Sequence, residues 1–312
     1  MRGISTAFID DLSQGVLKRV LERVKADTTL CLEIREDYIN IYYRGGNAIK
    51  ITDKGAGNYE FSFDVKYIED FSLKERISNL PQAVSTDSLV MQWLEELPTI
   101  KNQMDIWFGK HPKDEREYQQ LVVRENNYGG VANDTDYYIC DIEYANKNGR
   151  FDMVAVKWPS KTSQRKQNQE LRLAFIEMKY MDKALTGSAG LVDHIMNMNL
   201  FLSTPNNLQN LKEEMKNTFN QKVEMGLIKG IKEISSFSDK KPEYILLIAN
   251  HDPDKTVLRR ELENTINSSA YTEFCTKAEF KIATSCLMGY GLYNECIYPI
   301  SDLLRVYSHV VK

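Results

Sequence analysis

Two apolar runs in the middle of the chain each carry charge where a strand is expected. Residues 149–156 read Gly-Arg-Phe-Asp-Met-Val-Ala-Val, and residues 171–180 read Leu-Arg-Leu-Ala-Phe-Ile-Glu-Met-Lys-Tyr. Short apolar, β-prone runs of this kind predict strands. Alternation along a strand puts Glu177 and Lys179 on one face, with Ile176, Met178 and Tyr180 on the other. The unbroken stretches Met153-Val154-Ala155-Val156 and Ala174-Phe175-Ile176 predict positions inside a sheet rather than at its edge.

The pattern elsewhere alternates between the two periodicities. Apolar residues at helical spacing predict a helix over 7–25, through Phe8, Leu12, Val16, Leu17, Val20, Leu21 and Val24. Runs at 30–34, 38–43, 48–51 and 59–65 are separated by polar and glycine-containing breaks, which predicts an antiparallel meander. Ser85-Thr86-Asp87 reads as the cap of a helix over 88–107, with Pro98 a kink or break inside it. A helix follows over 114–125, then a strand over 136–144 and a hairpin turn at 146–149 leading into the strand of Asp152. Helices are predicted over 191–202, 206–234 and 257–267. A buried strand at 244–250 precedes a polar loop at 251–255, and another strand from 280 runs into a glycine-rich turn. Strands and helices in alternation predict an α/β layer architecture, α+β overall, with a mixed sheet flanked by helices. Residues 1–110 read as an N-terminal α+β accessory or recognition region, and 111–312 as the main domain.

Burying Asp152, Glu177 and Lys179 is costly unless they pair or hold a metal. If the two strands are neighbours, the carboxylates of Asp152 and Glu177 converge on a Mg²⁺ ion, which prefers oxygen ligands. Lys179 is then placed to orient or deprotonate an attacking water and to offset negative charge on a phosphate. The structural alternative is the solvated face of an edge strand on which Lys179 discourages pairing.

At Asp152 and Glu177-Met178-Lys179 the chain resembles the PD-(D/E)XK nuclease superfamily, whose signature is an aspartate on one strand and Glu-x-Lys on the next. The resemblance implies Asp152, Glu177 and Lys179 as catalytic residues, and a metal held by Asp152, Glu177 and the backbone carbonyl of Met178. It also implies a mixed sheet flanked by helices and hydrolysis of DNA phosphodiesters with Mg²⁺ or Mn²⁺, RNA being the alternative substrate. Phe151 stands where the name-giving proline would be, and the segment between the motifs is long. Members commonly add a glutamate from a preceding helix. Glu115 is the first choice here, since Tyr118 and Val122 share its face, with Glu117 next and Glu125 third. A polar residue on the helix after Glu-x-Lys often supports such sites, which points to His194 or Asp193.

The basic segment 157–169 offers Lys157, Lys161, Arg165 and Lys166 as contacts to a nucleic-acid backbone, alongside His194; a plain solvated connection is the alternative. Asp141 and Glu143 share a face and either join the site or face water. The formal net charge of −4 does not decide the matter, because phosphate binding depends on local cations. The five cysteines, without close pairs, predict reduced thiols in a cytoplasmic protein. No apolar run reaches the length of a membrane span, and Asp10 and Asp11 fall where a secretory leader would need apolar residues. The sequence therefore predicts a cytoplasmic nuclease acting in repair, restriction or defence, with a protein partner or second copy engaged by residues 1–110. The alternative is a catalytically silent nuclease-fold module that binds nucleic acid or a protein.

Overall fold

The glycine-punctuated first third forms a five-stranded antiparallel sheet. The computed structural model describes residues 1–128, 135–146, 149–186, 190–249, 257–285 and 297–307. Helices α1 (Thr6–Ser13) and α2 (Lys18–Ala26) precede β1 (Leu30–Ile34), β2 (Tyr38–Tyr43), β3 (Gly46–Asp53) and β4 (Tyr59–Ser62). Next come α3 (Phe71–Ser78), β5 (Ala83–Val84), α4 (Asp87–Lys110) and α5 (Asp114–Asn127). The strands pair in sequence order, as a meander should. Leu30, Leu32, Ile39, Ile41, Ile49, Ile51 and Phe61 form its core with Phe8, Leu12, Val20, Trp93 and Leu97 from the helices.

Two helical expectations change here. The helix expected over 7–25 is broken into α1 and α2 around Gly15, where a Cβ would lie 2.1 Å from Asp11 Oδ1. By contrast, α4 continues through Pro98. Its buried residues Val90, Trp93, Leu97, Ile100 and Met104 lie on both sides of the proline, so packing outweighs the lost hydrogen bond.

The remaining elements build a six-stranded mixed sheet. In chain order they are β6 (Tyr137–Asn146), β7 (Gly149–Lys157), α6 (Thr162–Arg165), β8 (Arg172–Tyr180), α7 (Leu191–Ser203), α8 (Asn207–Glu224), β9 (Glu243–Ala249), α9 (Val257–Ile266), α10 (Ser269–Cys275), β10 (Glu279–Ser285), β11 (Ile297–Pro299) and α11 (Ile300–Tyr307). The order across the sheet is β11-β10-β9-β8-β7-β6. Strands β8, β9 and β10 run parallel, while β6, β7 and β11 are antiparallel to their neighbours. Both expected motif strands are thus interior and adjacent, and the sheet extends past them. The helix expected over 206–234 stops at Glu224. The polar loop at 251–255 and the glycine-rich turn after Cys286 lie outside the described residues.

The chain divides into two compact units, Met1–Arg124 with Asn217–Lys229, and Glu125–Lys216 with Gly230–Lys312. Residues 111–124 and 217–229, which the sequence groups with the second region, belong to the first unit. The reason lies in long-range polar pairing that no local pattern signals. Lys222 Nζ lies 2.7 Å from Glu33 Oε2, both side chains being buried. Gln221 brackets Ile4, accepting from its N–H and donating to its carbonyl. Among the described residues no helix is long and apolar enough to cross a membrane.

Candidate active site

Strand β8 lies between β7 and β9, and apolar residues fill it from Leu173 to Met178 except at Glu177. Glu177 and Lys179 are each only 5% exposed. Charges so placed require partners. Their period-two spacing supplies one directly, since Lys179 Nζ donates to Glu177 Oε1 at 2.7 Å.

The third member comes from α7, which buries Leu191, Ile195, Met198 and Phe201 and sets Phe201 against Phe151 and Phe175 of the sheet. His194 sets Nδ1 3.2 Å from Glu177 Oε1 and Nε2 3.1 Å from Lys179 Nζ. A ring carrying its proton on Nδ1 satisfies both contacts, donating to the carboxylate and accepting from the ammonium. His194 therefore joins the charged pair while its side chain stays partly exposed.

Asp152 reaches the same place from β7. The β7–β8 ladder ends at Met153 opposite Ile176. Beyond that pair, Asp152 Oδ2 accepts the N–H of Met178 at 2.9 Å, so a side chain takes over a backbone partner's role. N–H and C=O of one strand residue point to the same side, and the Met178 carbonyl accordingly faces the β7 side as well. Burial pushes the Asp152 carboxyl far above the carboxylate range, to about 8, with Glu177 adding to the rise and the Met178 N–H and Lys179 opposing it.

Glu143 on β6 is bracketed by the pairs Ile142–Met153 and Tyr144–Phe151. Its backbone is left-handed, with φ 48°, and its charge contributes to raising Asp152. Arg150 Nη2 contacts Glu143 Oε2 at 3.3 Å. Nearby, Gly149 is required by close packing, because a Cβ there would lie 2.9 Å from both the Phe151 and Phe201 rings. Asp141 is buried and accepts from the N–H of Ile142, which replaces the solvated alternative for that residue.

The remaining expected site residues have the following places in the fold. Glu115 and Glu117 sit on the part of α5 that belongs to the first unit. Both Glu117 oxygens are taken by Arg44, at 2.9 Å and 3.1 Å. Arg44 also reaches Asp105. Glu117 is thus committed to an ion pair with Arg44. In the basic segment, Lys161 and Lys166 flank α6 and are exposed. Lys157 instead pairs with Glu243 at 3.0 Å. Arg165 donates to the Thr135 carbonyl and lies over the Tyr138 ring at 5.1 Å. Lys157 and Arg165 are thus used within the fold.

The partner of Lys157 is a group that sequence reasoning missed. Glu243 opens β9, fully buried, and gathers Tyr137 Oη at 2.6 Å, Lys157 and Arg172 at 3.0 Å each, and Lys281 at 2.6 Å. Burial pushes its carboxyl up, yet Lys157, Lys281 and Tyr137 outweigh that and hold it below the ordinary range. The network crosses β6 to β10 at the end of β8 away from Glu177, since Glu243 pairs with Ala174 in the β8–β9 ladder. Its sequence signal is faint: a lone acid ahead of an apolar strand.

For a metal, the donor chemistry is a pair of carboxylates, Asp152 and Glu177, beside the Met178 carbonyl. Among the described residues no group of three or more His, Cys, Asp or Glu side chains is arranged to hold an ion. Two carboxylates and a carbonyl nevertheless suit Mg²⁺, which keeps several waters. The raised Asp152 carboxyl marks a position where a cation would relieve repulsion. Comparison with protein families, curated proteins and solved structures finds no match for this chain.

Proposed function

We propose that this chain is a metal-dependent nuclease of PD-(D/E)XK type that hydrolyses DNA phosphodiester bonds with Mg²⁺. The observation that carries the reading is the meeting of Asp152, Glu177 and Lys179 on adjacent interior strands, with Lys179 bound to Glu177 and Asp152 bound to the Met178 backbone. A mixed sheet with helices between its strands supports it, because a core of that kind is what the motif resemblance implies.

In this reading Asp152, Glu177 and the Met178 carbonyl hold the ion, which when bound supplies Lewis-acid stabilisation of the phosphate. Lys179 orients the attacking water and offsets negative charge that develops on the phosphate. His194 positions Lys179 and Glu177 by bridging them. Repair, restriction or defence against foreign DNA is the biological setting that such chemistry serves.

The test is cleavage of single- and double-stranded DNA and RNA by the full chain in Mg²⁺, Mn²⁺ or chelator. DNA cleavage that requires the metal and disappears in Lys179→Ala is expected. Absence of metal-dependent cleavage on every substrate, or unchanged cleavage in the variant, overturns the reading. The Glu177–Lys179–His194 network would then be a charge cluster in a silent binding module.

A further inference from the structure

We propose that Arg150 is the side chain through which this site grips a substrate phosphate, exchanging Glu143 for a phosphodiester oxygen when nucleic acid binds. The substrate class rests on the nuclease reading above. The contact itself rests on where the cations of the second unit are found.

Two of the four cations in the basic segment are committed to internal partners, Lys157 to Glu243 and Arg165 to the Thr135 carbonyl. Lys179 is buried against Glu177 and His194. Arg150 differs in both respects. It stands on β7 two residues before Asp152, and its side chain is 68% exposed. Its contact with Glu143, at 3.3 Å, is longer than a well-formed N–H···O bond. Exposed ion pairs of this kind contribute little to stability, so giving one up costs little.

Glu143 ties that cation to the acid cluster. The β6–β7 register, with Ile142 opposite Met153 and Tyr144 opposite Phe151, sets Glu143 opposite Asp152, and the left-handed backbone of Glu143 departs from ordinary strand geometry beside the site. Glu143 thus keeps an exposed guanidinium beside carboxylates that would otherwise repel a phosphodiester. A guanidinium suits the task, because it can meet two phosphate oxygens at once in a fixed fork.

Arg150→Ala, Arg150→Lys and Glu143→Gln are made in an Asp152→Asn background, which removes cleavage without removing a buried cation. Binding of fluorescently labelled single- and double-stranded DNA is followed by anisotropy in Mg²⁺ across a salt series. Arg150→Ala is expected to weaken binding about tenfold and to lower the log–log salt slope by about one. Arg150→Lys is expected to keep the slope, and Glu143→Gln to tighten binding by freeing the guanidinium. Arg150→Ala with unchanged melting, affinity and slope overturns the proposal, as does a background protein that binds no DNA. Binding that depends on Arg150 in a chain whose wild type never cuts supports the phosphate contact while removing the nuclease reading. Wild-type cleavage that Arg150→Ala leaves intact, with unchanged binding, does the reverse.

Discussion

Lys179 Nζ and Glu177 Oε1 lie 2.7 Å apart on one buried strand, with His194 touching both. Removing either charge leaves the other desolvated, so the pair is a point of stability as well as of chemistry. Lys179→Ala is expected to cost about 3 kcal/mol and to abolish cleavage. Lys179→Met combined with Glu177→Leu should recover much of the stability and none of the cleavage. Urea denaturation beside a nuclease assay separates the two effects. A stable, fully active Lys179→Ala protein would show that the pair is neither.

Asp152 gives a pH signature of the opposite kind. Its folded carboxyl is raised by burial and by Glu177. The stability tied to it is present below the unfolded carboxylate range and is lost as pH rises through about 8. In chelator, Asp152→Asn should therefore melt higher than wild type at pH above about 8, and the difference should close near pH 4. Mg²⁺ should raise the melting temperature of wild type and leave Asp152→Asn nearly unmoved. Melting curves across pH, with and without the ion, provide the check.

Glu243 should titrate the other way. Its carboxyl is held low by Lys157, Lys281 and Tyr137 against the effect of burial. Its contribution is present above the unfolded carboxylate range and disappears as pH falls through its depressed folded value. Glu243→Ala leaves three cations facing one another and is expected to cost about 3–5 kcal/mol at neutral pH. The gap from wild type should narrow in acid. A pH-independent gap would assign the loss to packing alone.

The Glu33–Lys222 pair predicts the outcome of truncation. A fragment beginning at residue 111 loses the partner of Lys222 and the Ile4 and Arg2 contacts of Gln221 and Asn217. It also leaves Met225 and Leu227 without the core they join. Such a fragment is expected to melt at lower temperature than the full chain and with less cooperativity, as read by circular dichroism. A fragment melting as sharply and as high as the full protein would contradict this.

Local pattern carried much of the fold into view. The period-two spacing of Glu177 and Lys179 gave their shared face, and the 3.6-residue pattern of α7 brought His194 toward the sheet. Partners far apart in the chain stayed hidden. Nothing near Glu117 announces Arg44, 73 positions away, and nothing near Lys222 announces Glu33, 189 positions away. Lys157 and Arg165 looked like a basic loop because their charges are visible in sequence, while Glu243 and the Thr135 carbonyl, which occupy them, are not. The α1–α2 break is hidden for a different reason: the apolar spacing runs on unbroken across Gly15, while the glycine that favours leaving the helix is a single residue inside that pattern.

The chain passes from one unit to the other three times, after residues 124, 216 and 229, and the first two of these passages fall inside α5 and α8. During synthesis, domains generally fold in the order they emerge from the ribosome. That order cannot hold simply here. The first unit lacks Lys222, Met225 and Leu227 until residue 229 has been made, and by then Asp152, Glu177 and Lys179 have already emerged. The nascent chain therefore holds both motif strands, β7 and β8, before its first unit has its last segment.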